Sequence, residues 1–416
     1  MLKLLYVLLV ACLWGLTLGQ GGEGEECPCV SGASCHPLLN TCFSDPAPVD
    51  VPHIWIGNAP NCDGTQDKCA IFDLDFDTSH PRGDNGSTWC TNGTKVRCLA
   101  KPAPPLNDPT PANTMNIVSY NIWERDSLAS HDGQRERSCR IPRFLLTRFP
   151  DLDIIVMEEA FMGGCWPRGL DLRDLLKFYG FPYITDTIDA PNDFTKFENG
   201  GVFIASRWPI LEQDQVIFDN SPPGTTHHFT ALGAGYSKVN KTVNGTSKMY
   251  HIFGTHTASS GSNQVRVDQA RAVYNLQKSK SIPVLEPVLY AGDFNVNYYN
   301  PNISEPLLYA LNANVPAIPT NSEIYTFDPD NNDLLNTTGG SRQWLDYVVY
   351  SSEHLAPVSS QLVCFLATAP SVFPVCWCHD CAPFVGYRYP YAADCASTRR
   401  ILHLSDHHPV IGTFIF

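Results

Sequence analysis

Short apolar runs recur through the second part of the chain, and most of them stop at a polar side chain. Asn116-Ile-Val-Ser-Tyr-Asn-Ile-Trp123 predicts a strand. Asp153-Ile-Ile-Val-Met157 predicts a buried strand that runs into Glu158-Glu159. Further strands are expected over Gly201–Ala205, Lys248–Thr255, Leu345–Tyr350 and Val410–Phe416, and over Pro287–Ala291, which ends at Gly292-Asp293. Helical spacing falls on Arg137–Phe149, with Pro142 near its start, and on Leu170–Tyr179 and Val265–Lys278. Strands and helices interleave, so residues 114–416 read as one mixed α/β layered domain.

The preceding chain has a different texture. Residues 21–99 hold eight cysteines, from Cys27 to Cys98, among many Gly, Pro, Asp and Asn. They read as a small disulfide-held module. Residues 100–113 contain Pro102, Pro104, Pro105, Pro109 and Pro111, which suits a semi-rigid extended linker. Residues 1–20 have the form of a signal peptide: Lys3, the apolar run Leu4–Leu18, and small residues near Gly19. A secreted, extracellular protein is therefore expected, and its cysteines should form disulfides. Sixteen cysteines less Cys12 leave fifteen, so one thiol is unpaired or bridges another chain. Sequons at Asn85, Asn92, Asn240, Asn244, Asn302 and Asn336 suggest a glycosylated surface.

Hydrophobic residues make up 43% of the chain, enough for a sizeable core. Net charge is −14, which repels phosphate backbones, so no nucleic-acid partner is expected.

The polar ends of the apolar runs carry the chemistry. They are Asn121, Glu159, His256, Asp293 with Asn295, Asp346, and Asp406 with His407. Strand ends on one rim of a sheet can converge from distant sequence positions. Oxygen ligands of this kind suit a hard cation such as Mg²⁺. Each residue alone has a plainer reading: a solvated loop carboxylate, an Asx turn at Asp293, a satisfied core histidine at His256.

Taken in order, the segments Ser-Tyr-Asn121-Ile, Met-Glu-Glu159-Ala-Phe161, Gly-Thr-His256-Thr, Gly-Asp293-Phe-Asn295, Leu-Asp346-Tyr and Ser-Asp406-His407-His-Pro-Val resemble the endonuclease/exonuclease/phosphatase superfamily. The resemblance implies a four-layer αββα sandwich with two packed mixed β-sheets, the N-terminal cysteine-rich module lying outside it. Glu198–Ile210, Gln134-Arg-Glu-Arg137 with Ile141-Pro142, Tyr250–His256 and Phe161 are similar to the neutral sphingomyelinases of the bacterial sphingomyelinase C type. That likeness implies hydrolysis of sphingomyelin to ceramide and phosphocholine. It implies Mg²⁺, with Mn²⁺ or Co²⁺ able to substitute, held by Glu159 and Asn121 with Asp293, Asn295 and Asp406. It makes His407 the general base, Asp346 its orienting carboxylate and His256 a phosphate donor. Glu158 departs from the pattern, where Gln or Asn is usual, and so does His408, where Tyr is usual.

Sphingomyelin lies in the membrane outer leaflet, so peripheral membrane contact by a monomer is expected. Phe373, Trp377, Phe384, Tyr387, Tyr389 and Tyr391 crowd one cysteine-rich stretch and could form a membrane-dipping loop, with ordinary packing as the alternative. Phe161 is a second candidate for lipid contact. The rival functions are a secreted deoxyribonuclease of the same fold, and a membrane-binding or lytic protein with incidental catalysis.

Overall fold

The structure is a computed structural model that describes residues 33–38, 41–83, 88–125, 131–161, 163–165, 170–222, 224–335, 340–378 and 397–416. Its centre is a sandwich of two six-stranded mixed sheets. In chain order the strands are β1 (Thr114–Glu124), β2 (Ile154–Ala160), β3 (Tyr183–Ile184), β4 (Phe203–Ser206), β5 (Ile210–Ile217) and β6 (Gly233–Val243). They continue with β7 (Thr246–His256), β8 (Val288–Asp293), β9 (Ala313–Asn314), β10 (Asp346–Ser351), β11 (Ser359–Cys364) and β12 (Val410–Ile415). One sheet has the order β3-β4-β2-β1-β12-β11 and the other β5-β6-β7-β8-β10-β9. The pairs β1–β2 and β7–β8 are parallel and the other ladders antiparallel.

Alternation along the strands makes the layers. Successive side chains of a strand point to opposite faces. Ile117, Ile154, Val156, Ile252, Leu289, Ala291 and Val348 fill the gap between the sheets. Their neighbours Val118, Tyr120, Ile155 and Met157 face outward onto Leu145, Leu172 and Leu176. On the far side Phe253, Val288, Tyr290 and Val349 meet Ala270, Val273 and Leu307. The outer layers are thus helices: α1 (Gln134–Ser138), α2 (Ile141–Arg148) and α3 (Leu172–Phe178) on one face, α4 (Asn263–Ser279) and α5 (Pro301–Leu311) on the other. The expected αββα sandwich is present.

Several sequence expectations shift in detail. The helix expected over Arg137–Phe149 is two helices, because Pro142 in the first turn of α2 has no N–H to continue α1. Strands β5, β6 and β11 and helix α5 were not anticipated. β5 lies at a sheet edge with every side chain exposed or half-buried, and its polar middle, Glu212–Gln215, interrupts the apolar run that marked the others.

The segment before residue 100 carries a mixed sheet of His53–Ile56, Asn61–Asp63, Asp75–His80 and Asn92–Leu99 with a short helix, Gln66–Ile71. Disulfides Cys62–Cys90 and Cys69–Cys98 cross it, and Cys139–Cys165 braces the sandwich. Among the described residues Cys364 is the free cysteine, and it is buried. Ile54, Phe72, Val96 and Cys98 share one apolar cluster with the sandwich helices. Arg140 seals the joint: its guanidinium donates to Ile71 O at 2.7 Å and Ala70 O at 3.2 Å, and stacks on Phe373 at 3.9 Å. The last carbonyls of a helix lack internal partners, so a cation fits there.

Residues 101–113 run along the sandwich. Tyr250 donates to Ala112 O at 2.6 Å, and the buried Lys241 donates to Thr110 Oγ1 and Thr114 O at 2.7 and 2.8 Å. Lys241 on β6 also reaches Asp153, at the start of β2, at 2.8 Å. Asp153 accepts in turn from Trp208 Nε1 at 2.7 Å and from Asn116 N at 3.0 Å. One ion pair therefore ties both sheets and the proline-rich segment together. Of the sequons, Asn92, Asn244 and Asn302 are exposed and Asn240 is half-buried, while Asn85 and Asn336 lie outside the described residues. Among the described residues no helix is long and apolar enough to cross a membrane.

Removing one partner of a fully buried ion pair strands the other charge. Lys241→Ala should lower unfolding free energy by about 3–5 kcal/mol. Urea denaturation followed by tryptophan fluorescence measures it, and an unchanged midpoint would remove the pair from the account.

Candidate active site

Strand alternation that fills the inter-sheet gap with Ile, Val and Leu puts polar groups into the same gap at one end. His256 is opposite Asp293 in the parallel β7–β8 register, and Asp293 is opposite Asp346 in β8–β10. By parity with Ile252, Ala291 and Val348, all three side chains point between the sheets. Asn121 and Glu158 face them from β1 and β2, again a register pair. Alternation would send Glu159 the other way, toward the helices. Its φ of +52° breaks the pattern and turns its carboxylate into the pocket. Such a conformation is costly for a residue with a Cβ and concentrates at functional sites. Asn295 and Trp123 also have φ of +50°, and β1 is bulged between Asn121 and Glu124.

The groups then close on one another. Asn121 Nδ2 donates to Glu159 Oε1 at 3.0 Å and to Asp293 Oδ2 at 3.1 Å. His256 Nε2 lies 3.8 Å from Glu159 Oε1 and 3.6 Å from Asp293 Oδ2. His407 Nε2 is 3.8 Å from Asp293 Oδ2, while its Nδ1 is 2.8 Å from Asp346 Oδ2. Asn295 Nδ2 donates to Thr257 O at 2.9 Å, and its N–H to Asp293 Oδ1 at 2.7 Å. Asp406 is joined through Ser405, whose hydroxyl also bonds Asn121 O at 2.7 Å. The structure thus brings Asn121, Glu159, His256, Asp293, Asn295, Asp346, Asp406 and His407 together. Phe161 borders it: its carbonyl accepts from Asn199, and a Cβ at Gly201, where φ is +68°, would strike its ring.

Electrostatics marks the pocket as short of positive charge. Burial and the neighbouring Asp346 raise Asp293 to about 8. Burial, with Glu159 nearby, raises Asp406 to about 6. Burial and Asp346 raise Glu158 well above the usual range. Burial lowers His256 to about 4, so its imidazole is neutral. Burial opposes charge on His407, but Asp346, Asp406 and Asp293 outweigh it and push its pKa well up.

Two observations fit a divalent cation here. Among the described residues neither ring nitrogen of His256 finds a hydrogen-bond partner, nor does Asp346 Oδ1, although all are buried. Buried polar atoms seldom lack partners without a functional reason. Second, Asp293, Asp346 and His407 offer ligand atoms within 4.8 Å of one another. Within that trio the His407–Asp346 hydrogen bond already uses one atom of each. The oxygens of Glu159 and Asp293, bridged by Asn121, are therefore the better place for an ion.

Sequence reasoning missed the supports. Arg137 is wholly buried and donates to Ile122 O, Trp123 O and Leu404 O at 2.7, 2.6 and 3.0 Å, with an ion pair to Asp132. It fastens the bulged end of β1 to the loop that carries Asp406. Thr326 Oγ1 accepts from Leu345 N and Asp346 N, and its carbonyl accepts from His408 N. Phe327 packs edge-on to His407 at 5.4 Å. Arg137 stood out only in a segment similar to the sphingomyelinases, with no role attached to it, and a threonine in a loop carries no pattern that could have marked it.

The aromatic stretch divides. Phe373 is buried, and Trp377 is half-buried beneath Arg399, whose guanidinium lies 4.4 Å from its ring. Cys376 is disulfide-bonded. Phe384, Tyr387, Tyr389 and Tyr391 lie outside the described residues.

The Endonuclease/Exonuclease/phosphatase family pattern matches residues 118–407. The chain is 28% identical to the sphingomyelinase C of Listeria ivanovii over 327 residues, 74% of this chain and 88% of that protein. A sphingomyelinase C of Bacillus cereus is 31% identical over 269 residues, 59% of this chain and 77% of that protein. The crystal structure of SmcL superimposes with a TM-score of 0.57 at 25% identity, over 72% of this chain and 99% of that one.

Raised acid pKa values stabilise the fold only while those acids keep their protons. Without a divalent cation, stability should fall as pH rises from the ordinary Asp value of 3.8 through about 6 and on to about 8. Added Mg²⁺ should raise the melting temperature, and by more at the alkaline end. Calorimetry of chelated and reloaded protein tests this, and a Mg²⁺ effect independent of pH would contradict it.

Proposed function

This chain belongs to the endonuclease/exonuclease/phosphatase family, and we propose that within it the protein is a secreted sphingomyelin phosphodiesterase that releases phosphocholine and leaves ceramide. The observation that carries the proposal is the His407–Asp346 pair set across a carboxylate cluster from a neutral His256. The named relatives support the choice of lipid substrate, and the leader-like first 20 residues support export.

Glu159 and Asp293, with Asn121, Asn295 and Asp406, would hold Mg²⁺, or Mn²⁺ or Co²⁺ in its place. When bound, the ion neutralises the charge on the phosphodiester oxygens that otherwise repels a nucleophile. To ligate through oxygen, Asn121 must turn its amide and give up the bond from Trp123 N to its Oδ1. Asp346 fixes the His407 tautomer by taking Nδ1–H, which leaves Nε2 as the base that removes a proton from water. Asp346 then stabilises the imidazolium. His256 is neutral at working pH and keeps one N–H to offer to the phosphate oxygens as charge builds. Water oxygen bonds to phosphorus, the bond to the ceramide oxygen breaks, and that oxygen takes up a proton. No covalent intermediate on the protein is required.

His407→Ala should lower turnover by about 10²–10⁴-fold, the contribution of a general base. Asp346→Asn removes the nearest group that raises the His407 pKa. It should lower kcat and also move the acidic limb of the pH–rate profile to lower pH, because a base of lower pKa is neutral sooner. A limb that stays in place would assign the limb to another group.

Product analysis on sphingomyelin, phosphatidylcholine and plasmid DNA, with Mg²⁺ or with EDTA, tests the reaction itself. Phosphocholine from sphingomyelin, lost on chelation and restored by Mg²⁺, is expected. Preferential cleavage of plasmid would establish the deoxyribonuclease reading instead, and activity that survives chelation would end the cation-dependent one.

A further inference from the structure

Three phenylalanines stand out from the surface beside the pocket. Phe194 is 75% exposed, Phe197 41% and Phe229 47%. The rings of Phe197 and Phe229 stack at 5.5 Å with 29° between their planes. Large apolar rings held in water carry a free-energy cost, and contiguous exposed apolar surface marks an interaction site.

The exposure is enforced by ordered backbone. Asp193 accepts from Thr195 N and Thr195 Oγ1 at 2.9 and 2.7 Å, closing the turn beneath Phe194. Lys196 is buried, and its ammonium donates to His228 O at 3.0 Å and Ser221 Oγ at 3.3 Å. Phe197 N donates to Phe229 O at 2.7 Å. With Lys196 drawn inward and both segments clamped, the rings on either side of it are held facing out.

The patch is continuous with the pocket rim. Two residues after Phe197, Asn199 holds the Phe161 carbonyl, and Gly201 O accepts from Ala160 N next to Glu159. Two residues before Phe229, His227 lies near enough to Glu159 to feel its charge.

We propose that Phe194, Phe197 and Phe229 form a wedge that enters the interfacial zone of a zwitterionic lipid bilayer and seats the pocket over the headgroups. The choice of occupant rests on the phosphodiesterase function proposed above. The reacting groups are nearly all buried between the sheets, whereas a lipid phosphate stays tethered to the bilayer by its tails. The rim must therefore reach the interface for the two to meet. A net charge of −14 gives no Coulombic attraction to anionic membranes, which leaves apolar burial as the holding force. Aromatic rings suit that zone.

The test uses the double variant Phe194→Ser with Phe229→Ser, both rings being exposed enough for the fold to survive, with melting temperature as the check. Binding to sphingomyelin/phosphatidylcholine vesicles is measured by co-sedimentation in EDTA, separately from turnover. Turnover is measured on the same vesicles and on p-nitrophenylphosphocholine, a water-soluble diester. The variant should bind vesicles at least about ten-fold more weakly and lose vesicle hydrolysis in proportion. Its turnover of the soluble diester should be unchanged, and wild-type binding should not weaken with added salt. Phe194→Trp should keep binding. Equal vesicle binding by wild type and double variant overturns the wedge. So does a wild-type dimer that the double substitution dissociates while vesicle binding stays absent in both, which would make the patch a face between two copies. Wild type that binds vesicles through these rings but leaves sphingomyelin intact upholds the wedge and removes the reaction proposed above.

Discussion

Mutual repulsion among carboxylates in a dry gap is the constraint around which the site is organised. Glu158, Glu159, Asp293, Asp346 and Asp406 converge where the apolar filling between the two sheets ends. Burial and proximity push Glu158, Asp293 and Asp406 up together. A domain selected for stability alone would not gather these groups, because each negative charge makes the next more costly. The arrangement makes physical sense with positive charge among them. Among the described residues His407 pairs directly with the cluster, Arg125 and Arg137 favour charge on Asp406 without cancelling its upward shift, and the orphaned nitrogens of His256 show polar capacity left over.

Holding that cluster open demands rigid backbone. The positive φ values at Trp123, Glu159 and Asn295 all fall at strand ends beside the pocket. Each redirects a chain that simple alternation would carry elsewhere. Arg137 lies beneath two of the loops and satisfies three carbonyls that the bulge and the turn leave without strand partners. Its burial is tolerable because Asp132 and those carbonyls saturate the guanidinium. Strain at the site is thus offset by a hydrogen-bonded hub one layer deeper.

The N-terminal segment follows the same logic at larger scale. Its own core is small, and disulfides reduce the entropy of its unfolded chain. Apolar contacts and the Arg140 cap join it to the helix layer, while Lys241, paired with Asp153, clamps the proline-rich segment to the sandwich. Residues 101–111 form no helix or strand of their own. Composition alone gives no hint that Tyr250 and Lys241 would fasten the segment down.

Chain order and local pattern were enough to place Asn121, Glu159, His256, Asp293, Asp346 and His407 at the ends of apolar runs. The reason is that a strand's burial is written in its own residues. The layered α/β class was legible for the same reason, as were α3, α4 and most central strands. Edge strand β5 was not, since its polar, exposed middle is held by pairing with β6 rather than by burial of its own run, and helix α5 was not, since Pro301 and Pro306 disguise its apolar positions Leu307, Ala310 and Leu311. Only the folded chain decided which way Glu159 points, because a single positive φ overrides alternation. It alone showed His256 without partners, Arg137 as a hub and Lys196 turned inward beneath exposed rings. Those are properties of contacts between residues far apart in sequence, and no local stretch encodes where its distant partners will come to rest.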